Sequence, residues 1–158
     1  MALQKTNVMR ILDSAKVPYT PFGYEITDGK IDGVSVAGKI DKDPAQVFKT
    51  LVTVGASKQY YVFLVPVAHE LSLKKAAQHA GEKSVEMIKS ADLLKITGYV
   101  HGGCSPLGMK KPFRTFIDQS AQSHETIIVS AGKIGAQVGL APQTLAQLAG
   151  AVFQDLCQ

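Results

Sequence analysis

Residues 101–113 (HGGCSPLGMKKPF) form the segment whose composition is best suited to holding a ligand. Its three glycines and two prolines prevent a helix or a central strand from continuing, so we expect a shaped loop with accessible backbone N–H groups. Such groups can hold an anion or a carbonyl oxygen. A purely structural loop with a tight turn has the same composition, so both interpretations stay open for the segment alone.

A lysine inside a predicted strand is the second candidate. Lys49 lies within residues 47–54 (VFKTLVTV), and its neighbours on both faces are largely apolar, so we expect its ammonium to have poor access to water. A fixed cation on a pocket wall can bind a phosphate or a polarised oxygen. The alternative is a lysine near the beginning of the strand whose flexible side chain reaches past the preceding turn into solvent.

A second glycine-rich segment, residues 130–137 (SAGKIGAQ), follows a predicted strand. We expect it to lead toward a helix and to present N–H groups or the Ser130 hydroxyl to a ligand. Its spacing fits neither the P-loop nor the dinucleotide-binding pattern, and a simple turn explains it equally well.

Positive charge is concentrated near the two glycine-rich segments, at Lys110, Lys111, Arg114 and Lys133. The net charge of +4 is modest, but local clustering beside a loop suits a polyanionic ligand. A solvated basic surface is the alternative.

Other catalytic schemes find little support. The four histidines show no zinc-site spacing with one another or with the cysteines, so we expect no metal and no cofactor. Ser105 does not lie in a Gly-x-Ser-x-Gly elbow, which argues against a serine hydrolase. His101 fits a surface histidine and Cys104 a small loop residue better than a base or a nucleophile.

Length and composition indicate one globular domain over residues 1–158. Hydrophobic residues make up 46% and charged residues 19%, an ordinary balance for a folded chain with one core. There is no run of eighteen apolar residues, and the first residues lack the apolar centre of a signal peptide. We therefore expect a cytoplasmic protein that does not contact a membrane, with Cys104 and Cys157 reduced.

Hydrophobic patterning predicts the elements that would position these residues. The expected helices are 6–16, 34–40, 71–80, 90–97 and 142–153, and the expected strands are 47–54, 60–67, 115–118 and 126–130, with an extended segment through Tyr24 and Ile26. Strands and helices intermingle without regular βαβ alternation, which favours a mixed α+β domain.

Taken together, the residues resemble the YbaK family of aminoacyl-tRNA deacylases, the free-standing relatives of the editing domain in bacterial prolyl-tRNA synthetases. The resemblance spans nearly the whole chain and rests above all on Gly-Gly-x-Ser-Pro-x-Gly at 102–108 with Lys-Thr-Leu at 49–51. Residues 66–77, 83–87, 97–99 and 129–133 extend it. Lys-Lys-Ala-Ala at 74–77 and Val-Glu-Met at 85–87 are similar to the Cys-tRNA(Pro) deacylase branch.

The resemblance implies a mixed sheet curled toward a barrel, surrounded by helices, with a pocket for the aminoacylated 3′ end of a tRNA. The implied reaction is hydrolysis of cysteine wrongly attached to proline tRNA, and also of Cys-tRNA(Cys), beside prolyl-tRNA synthetase as a partner. The substrate's own thiol would attack the ester. An Ala-tRNA(Pro) deacylase and a non-catalytic tRNA- or nucleotide-binding module stay open as alternatives.

The same resemblance assigns roles to individual residues. Lys49 would place the terminal adenosine and its ester, and Gly102 and Gly103 would contact the carbonyl region. Substrate-pocket positions are implied for Tyr24, Ser130 and Gly132. Gln137 stands where a close relative has an aspartate.

Overall fold

A computed structural model describes residues 4–26 and 28–158 of the chain. The parts of the sequence-based expectations that fall on residues 1–3 and on Thr27 lie outside the described residues. The α-helices are α1 (Asn7–Ser14), α2 (Gly33–Lys39), α3 (Leu73–Ala80), α4 (Leu93–Thr97) and α5 (Pro142–Ala149). The strands are β1 (Thr20–Gly23), β2 (Phe48–Gly55), β3 (Tyr60–Pro66), β4 (Val85–Met87), β5 (Arg114–Asp118), β6 (Ile127–Lys133), β7 (Ala136–Leu140) and β8 (Ala151–Gln154).

Two sheets form the framework, and together with the helices they confirm the α+β class. The larger sheet has the strand order β4-β2-β3-β5-β8. Strand β2 pairs antiparallel with β4 and β3, and β5 pairs parallel with β3 and β8. The smaller sheet, β1-β7-β6, is antiparallel throughout. An isolated parallel bridge between Val47 and Ile128 joins them. Each of the two sheets keeps its own edge strands, so they are not closed into a barrel, and the expected curl toward a barrel stays a prediction.

The larger sheet is covered on both faces. Val62 and Leu64 of β3 face a core shared with α1, α5 and the smaller sheet. Phe63 and Val65 face the opposite way, onto a cluster that includes Ala76 of α3. This two-sided burial explains why residues 60–66 are almost continuously apolar.

Cap residues account for where several helices begin and end. The Thr6 hydroxyl accepts from the N–H of Met9 at the start of α1, and Ser72 caps α3 in the same way. Gly81 and Gly150 end α3 and α5 with left-handed φ values of +74° and +64°. No helix within residues 4–26 and 28–158 is long and apolar enough to cross a membrane.

Two expected segments were wrong, both in the C-terminal third. The helix expected over 142–153 ends at Ala149, and the following residues form β8, because parallel pairing with β5 determines their conformation. The segment after Ser130 does not lead toward a helix: β6 continues to Lys133 and turns back directly into β7. The other expected helices and strands are confirmed within a few residues, although residues 90–92 form a 3-10 turn before α4.

Candidate active site

Lys49 and Ser130 lie level with each other where the two sheets meet. Strands β2 and β6 run in parallel from the Val47–Ile128 bridge, and each of the two residues lies two positions further along its strand. Since side chains alternate along a strand, both residues share the face of Val47 and Ile128. The bridge is isolated, so no ladder hydrogen bonds fill the space between β2 and β6 at this level.

The same face continues across the smaller sheet. Gln137 of β7 is the register partner of Ser130, and both residues are buried. Tyr24 packs against the cluster that contains Val47 and Ile128, and its backbone N–H donates to the Gly135 carbonyl at 3.0 Å. The structure therefore brings together three residues predicted from sequence, Lys49, Ser130 and Tyr24, and adds Gln137.

Two polar atoms of this face are buried without a partner in the described part of the chain. They are the Tyr24 hydroxyl and Oε1 of Gln137. Buried polar atoms in folded proteins are almost always hydrogen-bonded to protein, water or a ligand, so these two atoms can accept or donate a hydrogen bond to a molecule bound on this face. The amide at Gln137 offers a neutral acceptor at this position.

Lys49 is less enclosed than its strand pattern predicted. Its side chain is 26% exposed, and Nζ lies 3.4 Å from Oε1 of Glu70, whose side chain is 74% exposed. The ammonium is therefore partly buried and loosely paired with a carboxylate that faces open solvent. Glu70 was missed as a site residue because it lies in the connection between β3 and α3, where no strand or helix pattern points to it.

The loop of residues 102–108, here called the glycine loop, packs directly on the β6–β7 turn. A β-carbon at Gly103 would lie 3.0 Å from the Ile134 nitrogen and 3.2 Å from the Lys133 carbonyl carbon. A β-carbon at Gly102 would lie 2.9 Å from Cδ1 of Ile31, and its φ of +86° already favours glycine. Lys133 is three residues past Ser130 on β6, so the loop lies roughly 10 Å along that strand from the level of Lys49.

The two loop glycines differ in their hydrogen bonding. The Gly103 N–H donates to the Val100 carbonyl at 3.0 Å, which closes a turn. Within the described residues the Gly102 N–H has no such partner. Of the two predicted contacts to a carbonyl oxygen, only the Gly102 N–H is therefore available as a donor in this conformation.

Ser130 and Gly132 shape a bulge at the end of β6. The Ser130 hydroxyl accepts from the Gly132 N–H at 3.1 Å, and the strand register shifts after Ser130. Gly132 has a φ of +89°, and a β-carbon there would lie 3.0 Å from Cε1 of Tyr99. Gly132 thus contributes close packing, and its predicted contact with substrate stays a prediction.

Tyr99 connects both glycine-rich segments. Its ring lies against Gly132, and its hydroxyl donates to the Leu107 carbonyl within the glycine loop. A β-carbon at Gly108 would lie 2.7 Å from that hydroxyl. Tyr99 is therefore a positioning residue that sequence reasoning missed, although it falls in one of the segments that carried the family resemblance.

Three of the four predicted tRNA-binding residues surround the glycine loop. Lys133 is exposed at the β6–β7 turn, next to Gly103. Lys110 lies against Gly98, and its Nζ donates to the Lys95 carbonyl at 3.4 Å. Lys111 is exposed and lines a surface cavity of about 230 Å³ together with Phe113 and residues 106–109.

Arg114 is engaged elsewhere. Its guanidinium lies 5.6 Å from the centre of the Tyr61 ring and 5.4 Å from that of Phe116, and Nη1 donates to the Ala80 carbonyl at 3.1 Å. These contacts tie β5 to the end of α3, which favours a structural role. Its role in tRNA binding stays a prediction.

Cys104 is buried in the main core, and this burial raises the pKa of its thiol to about 12. The thiol is therefore protonated near neutral pH and is a poor nucleophile. Among residues 4–26 and 28–158, no three histidine, cysteine, aspartate or glutamate side chains come together as metal ligands. A second surface cavity, of about 430 Å³ along α3, includes none of the predicted site residues.

This α+β arrangement, with Lys49 and Ser130 level where the two sheets meet and the glycine loop packed on the β6–β7 turn, fits one class of protein. Residues 33–148 match the family model of the aminoacyl-tRNA editing domain, and the chain belongs to that family. The matched range contains Lys49, the glycine loop and Ser130, whereas Tyr24 precedes it.

Individual relatives agree with this assignment. The chain is 43% identical over 153 residues to an Enterococcus faecalis protein named "Putative Cys-tRNA(Pro)/Cys-tRNA(Cys) deacylase EbsC", covering 97% of this chain and 93% of that protein. A crystal structure described as "a putative trans-editing enzyme for prolyl tRNA synthetase" has a TM-score of 0.81 at 21% identity, covering 99% of both chains. The structure of hypothetical protein APE2540 has a TM-score of 0.86 at 18% identity, covering 96% of this chain and 99% of that one. At these identities the two structures show a shared fold.

Proposed function

We propose that this chain is a trans-editing deacylase that hydrolyses mischarged Cys-tRNA(Pro), with Cys-tRNA(Cys) as a second substrate. One observation carries the proposal: the site has a cation and a loop N–H donor, while the nearby thiol of Cys104 is buried and protonated. Such a site can hold and polarise an ester but needs a nucleophile from elsewhere. The name of the Enterococcus faecalis relative supports cysteine as the amino acid, and cysteine brings its own thiol.

The proposed reaction begins with the substrate thiolate. Its sulfur attacks the ester carbonyl carbon, the bond from that carbon to the ribose oxygen breaks, and the oxygen takes up a proton from water. The tRNA leaves with a free hydroxyl, and the four-membered thiolactone that forms is opened by water to cysteine. Lys49 would stabilise the negative charge on the carbonyl oxygen during the attack, and the Gly102 N–H would contact the substrate further along β6.

The remaining contacts concern the nucleic acid. Lys110, Lys111 and Lys133 surround the glycine loop and would contact phosphates near the 3′ end of the tRNA. Tyr24, Ser130 and Gln137 would contact the terminal nucleoside, whose hydroxyl and amino groups can pair with the two unpartnered atoms. Prolyl-tRNA synthetase is the proposed source of the mischarged tRNA, and the cytoplasm is the proposed location of the activity.

A panel of charged tRNAs tests the proposal. Purified protein is incubated with Cys-tRNA(Pro), Cys-tRNA(Cys), Ala-tRNA(Pro) and Pro-tRNA(Pro), with and without prolyl-tRNA synthetase, and loss of the ester is followed against spontaneous hydrolysis. We expect fast loss from both Cys-tRNAs only. Preferred hydrolysis of Ala-tRNA(Pro) would instead assign an alanine deacylase. Binding of all four without turnover would indicate a non-catalytic module.

A further inference from the structure

Glu70 is an unexpected partner for Lys49, because Lys49 is proposed to bind a polyanionic substrate. Its Oε1 lies 3.4 Å from Nζ of Lys49. The Glu70 side chain is 74% exposed and the Lys49 side chain is 26% exposed. A carboxylate accepts at two oxygens, and within the described residues only Oε1 is engaged. Oε2 is therefore available to a ligand that approaches Lys49 from the solvent side.

The backbone beneath this carboxylate is fixed by the C-terminal residues. The Glu70 carbonyl accepts from the Gln158 N–H at 3.0 Å, and the next residue, Leu71, forms an antiparallel bridge with Cys157. The Ser72 N–H then donates to the Leu156 carbonyl at 2.7 Å. Although Glu70 lies outside strands and helices, these contacts anchor its backbone, so the fold keeps the residue beside Lys49.

The chemistry of an aminoacyl ester explains what such a pair can recognise. The α-ammonium of the amino acid is only two bonds from the ester carbonyl carbon. A site that brings the carbonyl to Lys49 also brings this second cation close to the lysine, where the two like charges repel each other. A carboxylate between them removes the repulsion and offers a charge-assisted hydrogen bond. Gln137, an acceptor on the face shared by Lys49 and Ser130, is neutral.

We propose that Glu70 binds the α-ammonium of the aminoacyl group, so that Lys49 and Glu70 together select esters of free α-amino acids. This inference rests on the proposed deacylase function. It assigns the protein a specificity that Lys49 alone would not give: N-acylated aminoacyl-tRNAs and esters without an amino group should be poor substrates.

The test combines one substitution with one change of substrate. Glu70→Gln keeps the size of the side chain and removes its charge at an exposed position, so the variant should fold. The matched control is Glu86→Gln, an exposed glutamate on β4 whose register partner Val54 lies five residues beyond Lys49 on β2. The two substrates are Cys-tRNA(Pro) and the same tRNA esterified with 3-mercaptopropionate, which is cysteine without its amino group.

We expect Glu70→Gln to lower kcat/KM for Cys-tRNA(Pro) by at least about tenfold, as loss of a hydrogen bond to a charged group does. With the mercaptopropionyl ester, Glu70→Gln should stay within about twofold of the wild-type protein, and Glu86→Gln should leave both esters unaffected. An equal loss with both esters would overturn the inference, because Glu70 would then act only by orienting Lys49. Wild-type protein that cleaves neither ester would overturn the proposed function itself.

Discussion

Gly103 lies so close to Ile134 that a β-carbon at position 103 would stand 3.0 Å from the Ile134 nitrogen. The neighbour is backbone at the β6–β7 turn, so it cannot move aside as a flexible side chain could. The two glycine-rich segments, which are separate in sequence, therefore form one packed unit. Its geometry depends on the absence of a side chain at Gly103, a stricter requirement than loop flexibility alone would impose.

Replacing Gly103 by alanine should push the glycine loop away from the β6–β7 turn. We expect a loss of about 1–3 kcal/mol in the free energy of unfolding, as for other insertions into a packed site, together with reduced deacylation. Denaturant unfolding and single-turnover assays measure the two effects. The control is Gly38→Ala in α2, where nothing lies within 4 Å of the added carbon and alanine favours the helix by roughly 0.5–1 kcal/mol. Equal unfolding midpoints for Gly103→Ala and the wild-type protein would contradict the packing argument.

Lys49→Ala should remove most deacylation and leave the fold intact. The partly exposed pair with Glu70 contributes only about 0–1 kcal/mol to stability, whereas loss of a cation that stabilises the transition state costs about 100-fold or more in rate. Lys49→Arg should also be impaired, because the wider planar guanidinium does not replace a compact ammonium. Lys89→Ala, which removes an exposed lysine just after β4, is the control. Unchanged turnover of Lys49→Ala would exclude Lys49 from the site.

Cys104→Ala should retain activity. With its pKa raised to about 12 by burial, the Cys104 thiol carries almost no thiolate at neutral pH, so it should also resist alkylation in the folded protein. The variant should lose about 1 kcal/mol of stability from the small cavity in the core. Mass spectrometry after iodoacetamide treatment and single-turnover kinetics check both points. A folded but inactive Cys104→Ala would make this cysteine a nucleophile.

How far the sequence predicts the site depends on the kind of interaction. Glycine and proline spacing identified the loop at 102–108, and the strand pattern placed Lys49 on β2. These are local signals. The pairing of Ser130 with Gln137 across the β6–β7 turn was not predictable, because the segment was expected to lead toward a helix. Tyr99 and Glu70 were missed because their roles depend on contacts with residues distant in sequence.

The same distinction explains the errors in the fold. Residues 142–153 carry apolar side chains at helical spacing, but Gly150 ends α5 and the following residues add a strand beside β5. That strand forms through pairing with a segment more than thirty residues earlier, which no local pattern records. Long-range pairing also determines the strand order of the two sheets and the isolated bridge at which they meet.

Lys110 and Lys111 should govern tRNA affinity without affecting chemistry. Each phosphate contact that is lost reduces the magnitude of the slope of log K against log salt concentration by about 0.7–0.9. The slope of the double alanine variant should therefore be smaller in magnitude by roughly 1.5. Single-turnover rates at saturating protein should stay the same. Arg114→Ala should instead lower stability, because its guanidinium contacts Tyr61, Phe116 and the Ala80 carbonyl. A salt slope that changes only in Arg114→Ala would reverse these assignments.

If the substrate thiol is the nucleophile, Ser-tRNA(Pro) should be hydrolysed far more slowly than Cys-tRNA(Pro), because an alcohol of nearly the same shape stays protonated at neutral pH. A cysteine thiol has a pKa of ~8.5. The fraction of substrate thiolate, and with it the rate, should therefore rise by about tenfold for each pH unit well below that value and level off above it. The protein's own thiols would give no such levelling off below pH 9, since burial raises the pKa of Cys104 to about 12 and that of Cys157 to about 11. Single-turnover rates between pH 6 and 9, corrected for spontaneous hydrolysis, provide the measurement. Equal rates for the serine and cysteine esters at saturating protein would instead assign the attack to a water molecule positioned by the site.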